Sequence, residues 1–143
     1  MYFSRLYYPV TKVIGRTVRY GVNWYYIDDG VYGAFSGKLF DHCDYRIVSD
    51  RPGPLEECIV AGPTCDSIDI VAHDQPMPKL SAGDLILAPG MGAYTIASAT
   101  SFNGFAPPKT IIMQNENQVR EKKSRKDLIG KRQSRFAAVE MEY

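Results

Sequence analysis

From Val10 to Tyr20 the β-branched residues Val10, Thr11, Val13, Ile14, Thr17 and Val18 recur in loose alternation, the pattern of a strand with one face turned inward. Gly21-Val22-Asn23 reads as a turn and Trp24-Tyr25-Tyr26-Ile27 as the returning strand, so the two predict a hairpin. Asp28-Asp29-Gly30 is a turn signal at the end of that strand. Gly33 to Val48 continues with aromatic and apolar positions, and Ser49 to Glu57, rich in Pro and charge, predicts a surface loop. Cys58-Ile59-Val60-Ala61 is a short apolar run that predicts a buried strand, stopped by Gly62-Pro63. Ile68, Ile70 and Val71 are spaced as a strand, and the two prolines of Gln75-Pro76-Met77-Pro78 predict irregular backbone. Leu80 to Asp84 forms a turn into Leu85-Ile86-Leu87, and Thr110 to Met113 predicts a last strand. After Glu116 the pattern changes to helix-prone polar residues. About six to eight short strands separated by turns predict an all-β fold, a Greek-key-like barrel or sandwich, with a basic, helix-prone C-terminal tail.

Composition agrees with strands and turns: 10 Tyr, 9 Pro and 12 Gly in a chain of 143 residues, a length that fits one domain. The three cysteines (Cys43, Cys58, Cys65) are odd in number and lack metal-ligand spacing, so a reducing, cytoplasmic location is expected, with no metal. No membrane partner is expected either, because no apolar run reaches spanning length. The net charge of +1 is unevenly distributed. Arg120, Lys122, Lys123, Arg125, Lys126, Lys131, Arg132 and Arg135 crowd one tail, leaving a slightly acidic body. Such a tail can touch nucleic acid or an anionic membrane surface, but it has no interleaved aromatics for base stacking, and a solvated end is the favoured reading.

The chemistry-bearing candidates sit at strand ends. Cys65 and Asp66 follow the Gly62-Pro63 stop, a thiol beside a carboxylate that could hold a cationic substrate. The same two residues could also be an inert small hydrophobe and a turn-closing Asp. Asp28 and Asp29 could attract an ammonium group or simply build a turn. His42, between Asp41 and Cys43, is a satisfied strand residue more often than a base. Gly90-Met91-Gly92-Ala93-Tyr94-Thr95 puts a phenol after paired glycines, where it could donate to a phosphate oxygen or pack in a strand. Ser101-Phe102-Asn103-Gly104-Phe105 is a turn carrying aromatics suited to an interface or a core edge.

Taken together, several of these segments carry a resemblance. In chain order they are Trp24-Tyr25-Tyr26-Ile27-Asp28-Asp29-Gly30-Val31-Tyr32-Gly33, Leu39-Phe40-Asp41-His42, Gly62-Pro63-Thr64-Cys65-Asp66-Ser67-Ile68-Asp69, Met91-Gly92-Ala93-Tyr94-Thr95 and Ser101-Phe102-Asn103-Gly104-Phe105. The chain resembles the C-terminal β-domain of the pyridoxal phosphate (PLP)-dependent ornithine/lysine decarboxylases, of the alanine-racemase-like fold type, over residues 10–113. The resemblance implies a division into a decarboxylase β-domain, residues 1–115, and a basic polar tail, residues 116–143. It implies that Cys65 is the thiol that protonates the substrate after CO₂ leaves. Asp66 and Asp29 would bind the distal ammonium of L-ornithine or L-lysine, and Tyr94 the PLP phosphate. Phe102 and Asn103 would lie at a dimer interface close to an active site shared between subunits. Asp after the Cys fits a plain diamine-forming substrate, where the related diaminopimelate decarboxylases carry Glu.

The family's PLP lysine and phosphate-binding glycine loop belong to an N-terminal barrel, which is expected to be absent here, so only non-covalent PLP contacts are expected. None of the eight lysines stands in the family's Schiff-base motif. The expected partners are therefore a barrel-bearing decarboxylase chain or a homo-oligomer. The alternatives are a non-catalytic, decarboxylase-like binding module and, through the tail, a nucleic-acid-binding protein.

Overall fold

The computed structural model describes residues 8–91 and 96–111. Five strands form one mixed sheet: β1 (Val10–Arg19), β2 (Val22–Ile27), β3 (Glu56–Ala61), β4 (Ile70–Met77) and β5 (Leu85–Leu87), in the spatial order β4-β3-β2-β1-β5. Helix among the described residues is confined to the one-turn α1 (Gly37–Phe40) and a 3-10 turn, Phe102–Gly104. The all-β expectation therefore holds. All these elements belong to the first of two compact units, Met1–Pro108 and Lys109–Tyr143. Ile112, Met113 and the basic tail lie outside the described residues.

The hairpin of β1 and β2 is antiparallel, with a register shift between Val13 and Gly15. Its turn is Tyr20-Gly21, starting one residue and ending two residues before the Gly21–Asn23 expected from sequence, and Val22 and Asn23 are already strand. Both turn residues have positive φ (53° and 81°), as a two-residue turn matched to strand twist requires. The inward face of the sheet supplies Val13, Tyr25, Ile27, Val60, Val71 and Ile86 to a core closed by Phe35, Ile47 and Leu80. Tyr25 reaches through this core, and its hydroxyl accepts a hydrogen bond from the Leu80 N–H at 3.1 Å, so a buried polar end is satisfied.

Two expectations are corrected by the sheet. Glu56 and Glu57 belong to β3, not to the loop before it. The Gln75–Met77 segment is strand, not irregular, and Pro76 pairs opposite Glu57. β4 lies at the sheet edge, where a residue without an N–H is tolerated.

The pairing of β2 with β3 is parallel, Asn23 to Tyr26 running alongside Cys58 to Ala61. Parallel neighbours end at the same side of a sheet. Asp28-Asp29-Gly30, leaving β2, and Gly62 to Asp66, leaving β3, are thereby set side by side although far apart in sequence.

Candidate functional site

The two strand ends are joined through Asp69, which is 2 % exposed. Its Oδ1 accepts from the Val31 N–H (2.9 Å), and its Oδ2 accepts from the Thr64 N–H (3.1 Å) and the Thr64 hydroxyl (2.7 Å). Its backbone carbonyl takes the Gly62 N–H at 2.8 Å, and its own N–H donates to the Asp66 carbonyl at 3.1 Å. Gly30 and Gly62 flank the carboxylate so closely that a Cβ on either would overlap it. This clamp shapes the loop that presents Cys65 and Asp66.

Asp66 is half-buried, and both of its oxygens are engaged. Oδ1 accepts from the Ile68 N–H at 3.1 Å and Oδ2 from the Tyr32 hydroxyl at 2.5 Å. These two donors, Tyr32 first, hold the Asp66 carboxyl below the usual carboxylate range. The reciprocal effect pushes the Tyr32 phenol up to about 12, mainly because its O–H donates to the Asp66 carboxylate. Cys65 is exposed, and its Sγ accepts from Asn103 Nδ2 at 3.6 Å. Asn103 has positive φ (57°), a conformation Asn tolerates better than most side chains. The preceding residue, Phe102, stacks on Tyr32 with ring centroids 4.2 Å apart. Cys65, Asp66, Phe102 and Asn103, singled out from sequence, are thus brought into one cluster.

Asp29 faces an adjoining cleft lined by Tyr32, Thr64, Asp69, Thr100 and Phe102. Its Oδ1 accepts from the Gly30 N–H (2.7 Å) and the Ala34 N–H (3.0 Å), so it also builds the turn after β2. Burial pushes its carboxyl up to about 6, against the lowering effect of those two bonds. Tyr94 lies outside the described residues. Neither Tyr32 nor Asp69 stands out in the sequence as a functional residue. The one signal available was their place inside the quoted motifs, since their bonds span 34 and 38 residues.

The polar lining of this cleft is the carboxylates of Asp28, Asp29 and Asp69 and the hydroxyl-bearing Tyr32, Thr64 and Thr100, which suits the cationic end of an amine. No Lys or Arg lines the cleft among the described residues, so these residues fit an ammonium group. Among them no group of three or more His, Cys, Asp or Glu could hold a metal ion, and no helix is long and apolar enough to cross a membrane. The three cysteines are free thiols.

Comparison with known proteins gives a consistent answer. Residues 4–92 match the family model described as the pyridoxal-dependent decarboxylase, C-terminal sheet domain. The chain is 42% identical over 107 residues to the lysine/ornithine decarboxylase of Selenomonas ruminantium, covering 75% of this chain and 27% of that protein. It is 48% identical over 86 residues to a probable ornithine decarboxylase of Dictyostelium discoideum, covering 59% of this chain and 19% of the relative. Among solved structures, the lysine/ornithine decarboxylase of Vibrio vulnificus complexed with cadaverine superposes with a TM-score of 0.67 at 46% identity, over 70% of this chain and 28% of that one. The chain thus spans between 19% and 28% of the length of these proteins.

Proposed function

Because the chain belongs to the pyridoxal-dependent decarboxylase family through its C-terminal sheet domain, we propose that it supplies the Cys-Asp half of a shared active site. That site converts L-ornithine or L-lysine to the diamine and CO₂. The observation that carries this reading is the cluster itself: an exposed thiol and a held carboxylate, adjacent in sequence, beside a cleft rimmed by a second carboxylate.

PLP, when bound, supplies the electron sink for breaking the bond to the carboxylate. The work of this chain is binding and proton delivery. Asp66 receives the substrate's distal ammonium, and Asp29 adds a second acidic contact from the turn after β2. A site built around a charge rejects analogues that lack it, since its carboxylates would be left unpaired. Cys65 Sγ carries the proton delivered to Cα, with Asn103 fixing the sulfur's direction. Tyr94 is the one residue of this chain proposed to touch the cofactor, by donating its hydroxyl to the phosphate. Phe102 and Asn103 face a barrel-bearing partner or a second copy.

The test is CO₂ release from L-ornithine and L-lysine with added PLP. The chain is assayed alone, and then mixed with a full-length family member whose own active-site Cys is replaced by Ala. Release only in the mixture is the expected result. Association without release points instead to a non-catalytic binding module, and activity of the chain alone overturns the division of labour.

A further inference from the structure

We propose that Tyr32 is a positioning residue for the amine-binding carboxylate: its phenol, braced by Phe102, holds Asp66 in the orientation that presents it beside Cys65. This inference rests on the decarboxylase reading above and adds to it a residue outside the Cys-Asp pair.

Asp66 sits in a loop between β3 and β4, next to an exposed Cys65, where an unrestrained carboxylate would sample several rotamers. It is restrained from two sides. The Ile68 N–H fixes Oδ1 from within the loop, and the Tyr32 hydroxyl fixes Oδ2 from across the sheet end. Each carboxylate oxygen has a second lone-pair direction, so both remain able to accept from an ammonium group. The Tyr32 bond, to a charged acceptor at 2.5 Å, belongs to the stronger class of hydrogen bond.

Tyr32 is itself held. The Thr100 N–H donates to its carbonyl at 2.8 Å, and its ring lies nearly parallel to Phe102, with 25° between the planes. The residue after Phe102 is Asn103, whose amide meets Cys65 Sγ. One short turn therefore steers both reactive groups: Asn103 acts on the thiol directly, and Phe102 acts on the carboxylate through Tyr32. A diamine-forming substrate meets a carboxylate already oriented, and the cost of ordering it falls on folding and not on binding.

Tyr32→Phe removes the hydroxyl and keeps the ring on Phe102. The first measurement is the carbon-13 carboxyl titration of Asp66 in the chain alone. The wild-type midpoint is expected below the ordinary carboxylate value and the variant's raised toward it, with the Ile68 N–H still in place; an unmoved midpoint overturns the proposal. The second is kinetics of the mixed assembly with L-ornithine and L-lysine. The variant is expected to raise KM roughly tenfold and to leave kcat within about twofold, because the thiol is held separately by Asn103. An active wild-type assembly with an unchanged variant KM overturns the role of Tyr32 alone. A silent wild-type assembly overturns the decarboxylase reading and the substrate role with it.

Discussion

A carboxylate that is 2 % exposed and accepts three hydrogen bonds is a fixed post, and the loops on both sides of Asp69 are hung from it. Gly62→Ala would push a methyl group into that post. The backbone bond from Gly62 to the Asp69 carbonyl leaves little room to yield. The expected loss of stability is about 1–3 kcal/mol by urea denaturation, accompanied by a displaced Asp66 resonance. Asp29 makes a different prediction. Its folded pKa, about 6, lies above its ordinary value of 3.8, so the folded state binds the proton more tightly. The stability this group contributes is fully present below its unfolded pKa and is lost as pH rises through about 6. Asn at this position keeps an acceptor for Gly30 and Ala34 without the charge. Asp29→Asn should therefore gain on the wild type between pH 4 and pH 8, by about 3 kcal/mol at most, read from paired urea midpoints. Cys65, Asp66, Phe102 and Asn103 were legible as candidates in the sequence because the resemblance implies a role for each. Tyr32 and Asp69 were not, because each acts on a partner that only the fold brings near.

At the scale of elements, strand positions were readable from apolar runs, and their ends were not. The β1–β2 turn shows the reason. Gly21 suggested a turn reaching Asn23, whereas strand register places Tyr20 and Gly21 at the tip, with Tyr20 fully exposed at a φ of 53°. An aromatic residue suits that backbone poorly, and Asn suits it well. Tyr20→Asn is expected to stabilise the hairpin by about 0.5 kcal/mol, measured by thermal or urea unfolding. Pro76 misled in the opposite direction. Proline forbids a central strand but not an edge, and edge position depends on which strands pair. The parallel pairing of β2 with β3 was not legible either. Apolar runs reveal a strand without revealing its neighbour, and this pairing is what sets the Asp29 turn beside the Cys65 loop.

For the molecule as a whole, the parallel junction governs the order of events in time. The β1–β2 hairpin closes through a two-residue turn, and β3 with β4 forms a second local antiparallel pair. Pairs of this kind zip within microseconds. Joining them in parallel requires residues 28–55 to close as a loop, a step whose entropy cost precedes any reward. The bond from Val31 to Asp69 spans that same junction. Trp24, the one tryptophan, lies opposite Ile59 across it, so its fluorescence should follow the slowest step in stopped-flow folding. Hydrogen-exchange protection of the β1–β2 hairpin amides should develop before that fluorescence change. A newly made chain would thus carry its hairpins before it carries its cleft, and the thiol would stay unaligned until the last docking is done.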